Sequence, residues 1–433
     1  MDSRLDTHRN RRRGVCTWGP AWGIRSVWAS ASMLLACAAL LLAGCGNASR
    51  PANASAPLPK IPHARALVWQ DAQTPVSLVL QTPWPFQPPT LAVAPSNGNV
   101  AYECYAPASA TSQSGQVWVT RDRAAHWTRA ADLPTGGEVD SCTITVNDLT
   151  PTTAVAMTFR DARDGCFACA HGTRSYFLTT DGGATWTPQS GSVFPIGQFA
   201  TARGVTYALN TPPLADAQPW QSTLLVSRDG MRTWSPIDQP IHASSGHAVM
   251  RFWLSPATGE LLAYASNSAA FEEQVWLSRD GGGQWSQLQG AIGQEYIVRI
   301  PDAGQPWYIC GMRDGMDSTH PVGPNMLTCS YDSGKTWHGA GGPGGGPYGV
   351  QNGVFAFADD GSVLQTMPLS TTPTLGATTP SQVGRLIPRG TTWEPLGPAP
   401  TYGPILYASG VLWMTPQYAG GDPHGTISTA SYT

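Results

Sequence analysis

The chain has 433 residues, of which 47 are Gly and 38 are Pro, about a fifth where roughly 12% is ordinary. Charged residues make up 12%, half the usual share of about 25%, and the formal net charge is −3. That balance excludes a coiled coil, a helical bundle and a charged disordered tail, and it favours many short strands joined by Gly/Pro turns. In chain order, the first element is basic: Arg4, Arg9, Arg11, Arg12, Arg13 and Arg25 precede an apolar run from about Ser30 to Ala43. About fourteen apolar residues are too few to cross a bilayer comfortably and suit the hydrophobic part of a signal peptide.

The run ends in Leu42-Ala43-Gly44-Cys45, which resembles a bacterial lipobox. The resemblance implies a signal peptide over residues 1–44 and lipidation of Cys45, which anchors a chain to a membrane without spanning it. Residues 45–65, rich in Pro, Ala and Ser, read as a flexible tether. Removing residues 1–44 leaves 19 basic against 26 acidic side chains, a net charge of −7. The only lysines are Lys60 and Lys335, and the arginines are scattered, so no patch can neutralise a run of phosphates. Nucleic acid is not an expected partner.

Export also bears on the cysteines. Cys104, Cys142, Cys166, Cys169, Cys310 and Cys329 are even in number, as expected of disulfides outside the cytoplasm. Cys310 and Cys329 fall on neighbouring predicted strands and are paired. Cys166 and Cys169 frame a Cys-x-x-Cys that can also serve redox chemistry or, with His171, part of a zinc site. The redox reading needs a helix after a strand, and zinc needs a fourth ligand. Neither context is visible, so structural bridges are the expectation, with no metal and no cofactor.

From residue 66 onward the chain repeats. Thr120-Arg121-Asp122, Thr179-Thr180-Asp181, Ser227-Arg228-Asp229, Ser278-Arg279-Asp280 and Ser330-Tyr331-Asp332 are each followed, five residues after the Asp, by Trp127, Trp186, Trp234, Trp285 and Trp337. A decayed sixth copy keeps Gly390 and Trp393 but has Pro388 in place of the Asp. A β-rich run precedes each copy, the hydroxyl and carboxylate are suited to bonding a tight turn, and the Trp opens the next strand and buries its ring between sheets. Gly two places after the Asp supplies a turn conformation that Ala124 and Met231 must adopt with strain.

These residues resemble the Asp-box, or BNR repeat, of sialidase-like β-propellers. The resemblance implies a turn between the third and fourth strands of a four-stranded blade, away from the ligand site, so the repeated Asp residues are structural. The mean spacing of the six Trp is about 53 residues, which divides residues 66–433 into seven blades. Strands near 404–407, 411–414 and 426–428, completed by 66–69, close the ring; six blades and a long tail are the alternative.

The sialidase resemblance also implies an arginine triad, a Tyr/Glu pair, an Asp acid/base and an Arg-Ile-Pro signature ahead of the first repeat. Here Arg299-Ile300-Pro301 follows the fourth repeat, and Thr90-Leu91-Ala92-Val93 before the first holds no Arg. Arg251 occupies a comparable place one repeat before Arg299. First strands line the channel in that family, so both guanidiniums can face one ligand anion. Alternatively they pair with carboxylates such as Asp302 or Glu295. Tyr296, Tyr348, Tyr402 and Tyr407 are candidate nucleophiles that no motif distinguishes, and Glu394 is a scarce late carboxylate. With no catalytic residue assigned, Arg251, Arg299 and Tyr296 form the candidate ligand site. The expected function is a monomeric, extracytoplasmic, lipid-anchored module that binds a glycan or protein without catalysis. A divergent sialidase or other glycoside hydrolase is one alternative. The other resembles the propellers that assist membrane-complex assembly in photosynthetic organisms.

Overall fold

Every element described in a computed structural model of the chain is a β-strand, and the strands form seven four-stranded antiparallel sheets arranged as a propeller. The structure describes residues 66–72, 91–105, 115–136, 139, 141–160, 173–190, 198–210, 222–237, 248–267, 272–289, 294–300, 304–313, 326–340, 355–369, 381–400, 405–414 and 427–432. The signal peptide, lipobox and tether lie outside them, as do Cys166, Cys169 and His171.

The N-terminal strand β1 (Trp69–Ala72) belongs to the last blade. Blade 1 is β2 (Leu91–Val93), β3 (Ala101–Tyr105), β4 (Gln116–Thr120) and β5 (Trp127–Arg129), numbered from the centre outward. Blade 2 is β6 (Ser141–Val146), β7 (Ala154–Arg160), β8 (Thr173–Thr179) and β9 (Thr187–Gln189). Blade 3 is β10 (Gln198–Ala202), β11 (Val205–Asn210), β12 (Thr223–Ser227) and β13 (Ser235–Pro236). Blade 4 is β14 (Ala248–Leu254), β15 (Leu261–Asn267), β16 (Glu272–Ser278) and β17 (Ser286–Gln287). Blade 5 is β18 (Gln294–Arg299), β19 (Tyr308–Arg313), β20 (Met326–Ser330) and β21 (His338–Ala340). Blade 6 is β22 (Phe355–Phe357), β23 (Val363–Pro368), β24 (Ser381–Leu386) and β25 (Glu394–Ala399). Blade 7 is β26 (Ile405–Ala408), β27 (Val411–Met414), β28 (Ile427–Ser431) and, outermost, β1. The seven-bladed reading holds and the six-bladed alternative does not. The closing strand runs three residues later than 66–69, because Leu67 donates its N–H to Leu396 of blade 6 before β1 pairs with β28.

The five intact repeats build one turn. Each hydroxyl donates to its Asp Oδ1 at 2.8–2.9 Å. It also accepts the N–H four residues on, of Ala124, Gly183, Met231, Gly282 or Gly334. The same Oδ1 accepts a second N–H at 2.9–3.0 Å, from His126, Thr185, Thr233, Gln284 or Thr336. Such bonds favour the ionised carboxylate, and all five Asp have pKa values below the ordinary range, Asp181 at about 2. The two residues after each Asp have positive φ, including Ala124 (64°) and Met231 (69°), so the strain expected there is present.

The core is divided among the seams between blades. One apolar cluster lies at each, from Cys104, Ile144 and Trp186 between blades 1 and 2 to Ala101, Val411 and Trp413 between blades 7 and 1. Each repeat Trp packs toward the preceding blade; Trp186 is buried, and the other four intact-repeat rings are half-buried. Disulfides join Cys310 to Cys329 within blade 5, as paired from the sequence, and Cys104 to Cys142 across the seam between blades 1 and 2. In blade 6, where the Asp is lost, the buried Arg385 bonds Ser362 and Asp360 and approaches Glu394 at 3.7 Å.

Candidate functional site: the central channel beside Arg251

First strands surround the propeller axis, and β14 carries a bulge between Val249 and Arg251. A bulge sets two residues against one on the partner strand and re-aims their side chains. Here Val249 is buried while Met250 and Arg251 are both exposed. Arg251 is exposed as a residue, yet protein surrounds its guanidinium closely enough for desolvation to lower its pKa. Both facts fit a side chain in the central channel. Its ring neighbour is Trp253, with Cζ 5.4 Å from the centroid. No hydrogen bond or ion pair engages the guanidinium among the described residues.

One carboxylate faces it. Asp148 follows β6, in blade 2, and is held by Gln198 of blade 3, whose Nε2 donates to Oδ2 at 2.6 Å. Gln198 is in turn fixed by the Phe252 backbone: Nε2 donates to the carbonyl at 2.7 Å and Oε1 accepts the N–H at 3.1 Å. Neighbouring first strands lack a backbone ladder with each other, and this one amide bridges blades 2, 3 and 4. Burial raises the Asp148 pKa to about 6, against the opposing effects of the Gln198 bond and the Arg251 charge. The carboxylate acts on Arg251 through space.

Arg299 lies elsewhere on the channel wall. Leu254 pairs with Leu261, which pairs with the repeat Ser278; Val298 pairs with Ile309, which pairs with the repeat Ser330. Leu254 and Val298 are therefore level, Arg299 is one residue beyond them and Arg251 three residues before. Four residues separate the two arginines along the strand direction, on the order of 10 Å allowing for the bulge. The expectation that they hold comparable places is corrected by this register. Arg299 has its own aromatic partner, with Cζ 5.2 Å from the Tyr308 centroid. Tyr296 lies on β18, with its side chain outside the described atoms, and Tyr348, Tyr402, Glu295 and Asp302 also fall outside them. Tyr407 packs edge-on against Tyr432 at 5.9 Å, and burial raises its pKa. Glu394 serves the Arg385 cluster.

Sequence reasoning missed Asp148 and Gln198. Neither stands in a motif, and they meet Arg251 only when three blades assemble. The adjacent Met250 and Trp253 were legible as neighbours of Arg251, but the bulge that exposes Met250 was not.

No protein-family model matches the chain, and no curated protein matches it. Among solved structures it is similar to YCF48 from Cyanidioschyzon merolae, with a TM-score of 0.48 and 12% identity over 84% of this chain and 98% of that one. It is also similar to YCF48 bound to D1 peptide (TM-score 0.47, 12% identity, 85% of this chain and 99% of that one). The GH74 xyloglucanase from Xanthomonas campestris gives a TM-score of 0.40 at 15% identity, over 79% of this chain and 60% of that one. At these identities the likeness is one of fold alone.

Proposed function

We propose that the chain is a lipid-anchored, extracytoplasmic Asp-box propeller that binds a glycan or protein ligand through its central channel and performs no chemistry on it. The observation that carries this reading is Arg251, an exposed residue whose guanidinium has no hydrogen-bonded partner among the described residues and is held there at a cost in desolvation. An arginine without a hydrogen-bonded partner is a group available to an outside anion. The separation of Arg251 from Arg299 speaks against a shared carboxylate clamp of the sialidase kind. The four hydroxyl–Asp turns with Thr or Ser at the first place and Arg or Thr at the second, together with the fifth at Ser330-Tyr331-Asp332, support the Asp-box assignment by their common bonding. Leu42-Ala43-Gly44-Cys45 supports the lipid anchor.

The test sets turnover against binding. The full chain is incubated with a fluorogenic sialoside, and its binding to sialyllactose and to an acidic peptide is measured beside Arg251→Gln. The expected result is binding of one of the two ligands that is lost in the variant, with no hydrolysis. Hydrolysis by the wild type that fails in the variant would overturn the non-catalytic reading.

A further inference from the structure

The channel site contains a guanidinium and a carboxylate that act on each other through space, with no hydrogen bond or ion pair between them among the described residues. We propose that it is a proton-coupled receptor for a carboxylate: Arg251 takes the ligand's single negative charge, and Asp148 must be protonated for it to do so. This rests on the channel being the ligand site, and it adds the ligand's chemical class and the condition for binding.

Geometry supplies the coupling. The Gln198 amide is locked to the backbone of Phe252, the residue next to Arg251, and donates to Asp148 at 2.6 Å. Asp148 is thereby kept beside Arg251 and is not free to swing away. An ionised Asp148 would repel an incoming anion while offsetting the charge of Arg251; a neutral one removes both effects. Low solvation in the channel strengthens each of these terms relative to water. Burial already holds the Asp148 pKa at about 6, so the proton is available at mildly acidic pH.

Among the described residues, the neighbouring strands supply no competing switch. Of those on the strands packed here, β6 carries Thr143 and Thr145, β10 Gln198 and Thr201, and β14 Met250 and Trp253, none of which titrates between pH 5 and pH 8. Cross-strand from Arg251, β15 places Tyr264, the one further titratable side chain on these four strands among the described residues. Arg203, beyond β10, is committed to the carbonyls of Ala257 and Thr258. One guanidinium matches one planar carboxylate in a two-bond geometry, whereas a phosphate carries roughly twice that charge.

The sign follows directly. Above pH 6 the free protein has Asp148 ionised, and binding must draw a proton from solvent, so affinity falls by up to tenfold per pH unit. The ligand carboxylate, ordinarily titrating near pH 3 to 4, stays ionised throughout. We would titrate the full chain with glucuronate and with N-acetylglycine at pH 5 and pH 8 by calorimetry, using glucose and N-acetylglycinamide as uncharged counterparts. Two buffers of different ionisation enthalpy give the protons taken up per ligand.

Expected are at least tenfold tighter binding of a carboxylate probe at pH 5 than at pH 8, and uptake approaching one proton at pH 8. The isosteric Asp148→Asn, whose side-chain oxygen can still accept from Gln198, should bind equally at both pH values without proton uptake. Its thermal midpoint reports that the fold is kept. Wild-type affinity that ignores pH, or an Asp148→Asn variant that keeps the wild-type slope, would overturn the coupling and leave the channel reading intact. Binding that survives Arg251→Gln unchanged, or no carboxylate binding by the wild type at either pH, would overturn the channel as an anion site.

Discussion

Blade 1 meets its two neighbours by different means. Toward blade 2 it presents Tyr102, Cys104 and Val119; Cys104 is disulfide-bonded to Cys142, and the Tyr102 hydroxyl donates to the Pro151 carbonyl at 2.7 Å. Toward blade 7 it presents Ala101 and Glu103, and the seam is noncovalent: Trp413 Nε1 donates to the Gly98 carbonyl at 2.9 Å, Ser409 to Ser96, and Arg123 to Ser431. Glu103 is buried with Oε2 unbonded, directly cross-strand from Trp118, whose Nε1 is likewise unbonded. Counting two residues on from the second-strand residue that pairs with the repeat hydroxyl, the equivalents of Glu103 in the other four blades with an intact repeat are Ala156, Ala208, Ala263 and Gly311. Four seams place a small residue at this height. The seam that joins the two ends of the chain places an unpaired carboxyl group there. The comparison locates the weak joint of the ring at its closure, opposite a stapled joint on the same blade.

The strongest break in that comparison removes the staple. Replacing Cys104 and Cys142 by Ser frees a loop of 38 residues and should lower stability by about 4 kcal/mol on the chain-entropy account. Chemical denaturation under oxidising conditions measures it. A loss under 1 kcal/mol would show that noncovalent packing already suffices at the stapled seam. Next in size, Gly98→Ala would put a Cβ 2.0 Å from the Ala408 carbonyl oxygen and 2.7 Å from the Val411 Cβ. The nearest contact is a backbone oxygen and the next is a Cβ fixed to the backbone, so the seam must open, at about 3 kcal/mol. Hydrogen exchange should then rise at β2, β3 and β27 while β6 and β7 stay protected. Uniform acceleration would mean that the closing seam does not open separately.

Glu103 makes the closing seam sensitive to pH. Desolvation raises its pKa to about 7 from an ordinary 4.5, and no charged neighbour contributes. A carboxyl whose pKa is raised on folding contributes full stability below its unfolded pKa and loses it as pH rises through the folded value. Wild type should therefore weaken between about pH 4.5 and pH 7, by roughly 3 kcal/mol relative to Glu103→Gln. The repeated Asp residues work in the opposite sense: their lowered pKa values give stability present near neutrality and lost in acid, as pH falls through them. Thermal midpoints across about pH 3 to 9 should show a decline on going from about pH 4.5 to pH 7 that Glu103→Gln flattens and an acid decline that it leaves alone. An unchanged decline between about pH 4.5 and pH 7 in the variant would remove Glu103 from the account.

What the sequence disclosed follows from what repeats. The hydroxyl–Asp–Trp spacing gave blade number and turn position, because each turn is bonded almost entirely within eight residues. The strands at 405–408, 411–414 and 427–431 were legible within three residues from β-rich runs alone. Contacts made by a single blade against its neighbour were not legible. Arg251 and Arg299 looked equivalent because counting along the chain shows neither the bulge in β14 nor the different level of Arg299. Asp148, Gln198 and Arg251 lie in three blades, and no local pattern links them. Arg385 was hidden for a related reason: it compensates for a repeat that is absent, so it has no counterpart to be compared with.

The smallest effects compare one turn position at the two seams. Two residues after the repeat Asp, Gly183 faces the stapled seam and Ala124 the closing one, both at positive φ. A Cβ on Gly183 would lie 2.9 Å from the Ala130 Cβ and 3.4 Å from Val119, so Gly183→Ala adds a close contact to left-handed strain. About 2 kcal/mol is expected to be lost. Ala124 already has that strain, but its methyl is buried against the Val411 and Trp413 cluster. Ala124→Gly relieves roughly 1 kcal/mol of backbone strain and forfeits about 0.8 kcal/mol of methyl burial. The net change should be under about 0.5 kcal/mol, read as an unchanged denaturation midpoint. A clear stabilisation would mean the Ala124 methyl is poorly packed, and so that the closing seam is looser than its contacts indicate. A clear loss would mean the seam depends on that methyl, and the contrast between the two faces of blade 1 would narrow.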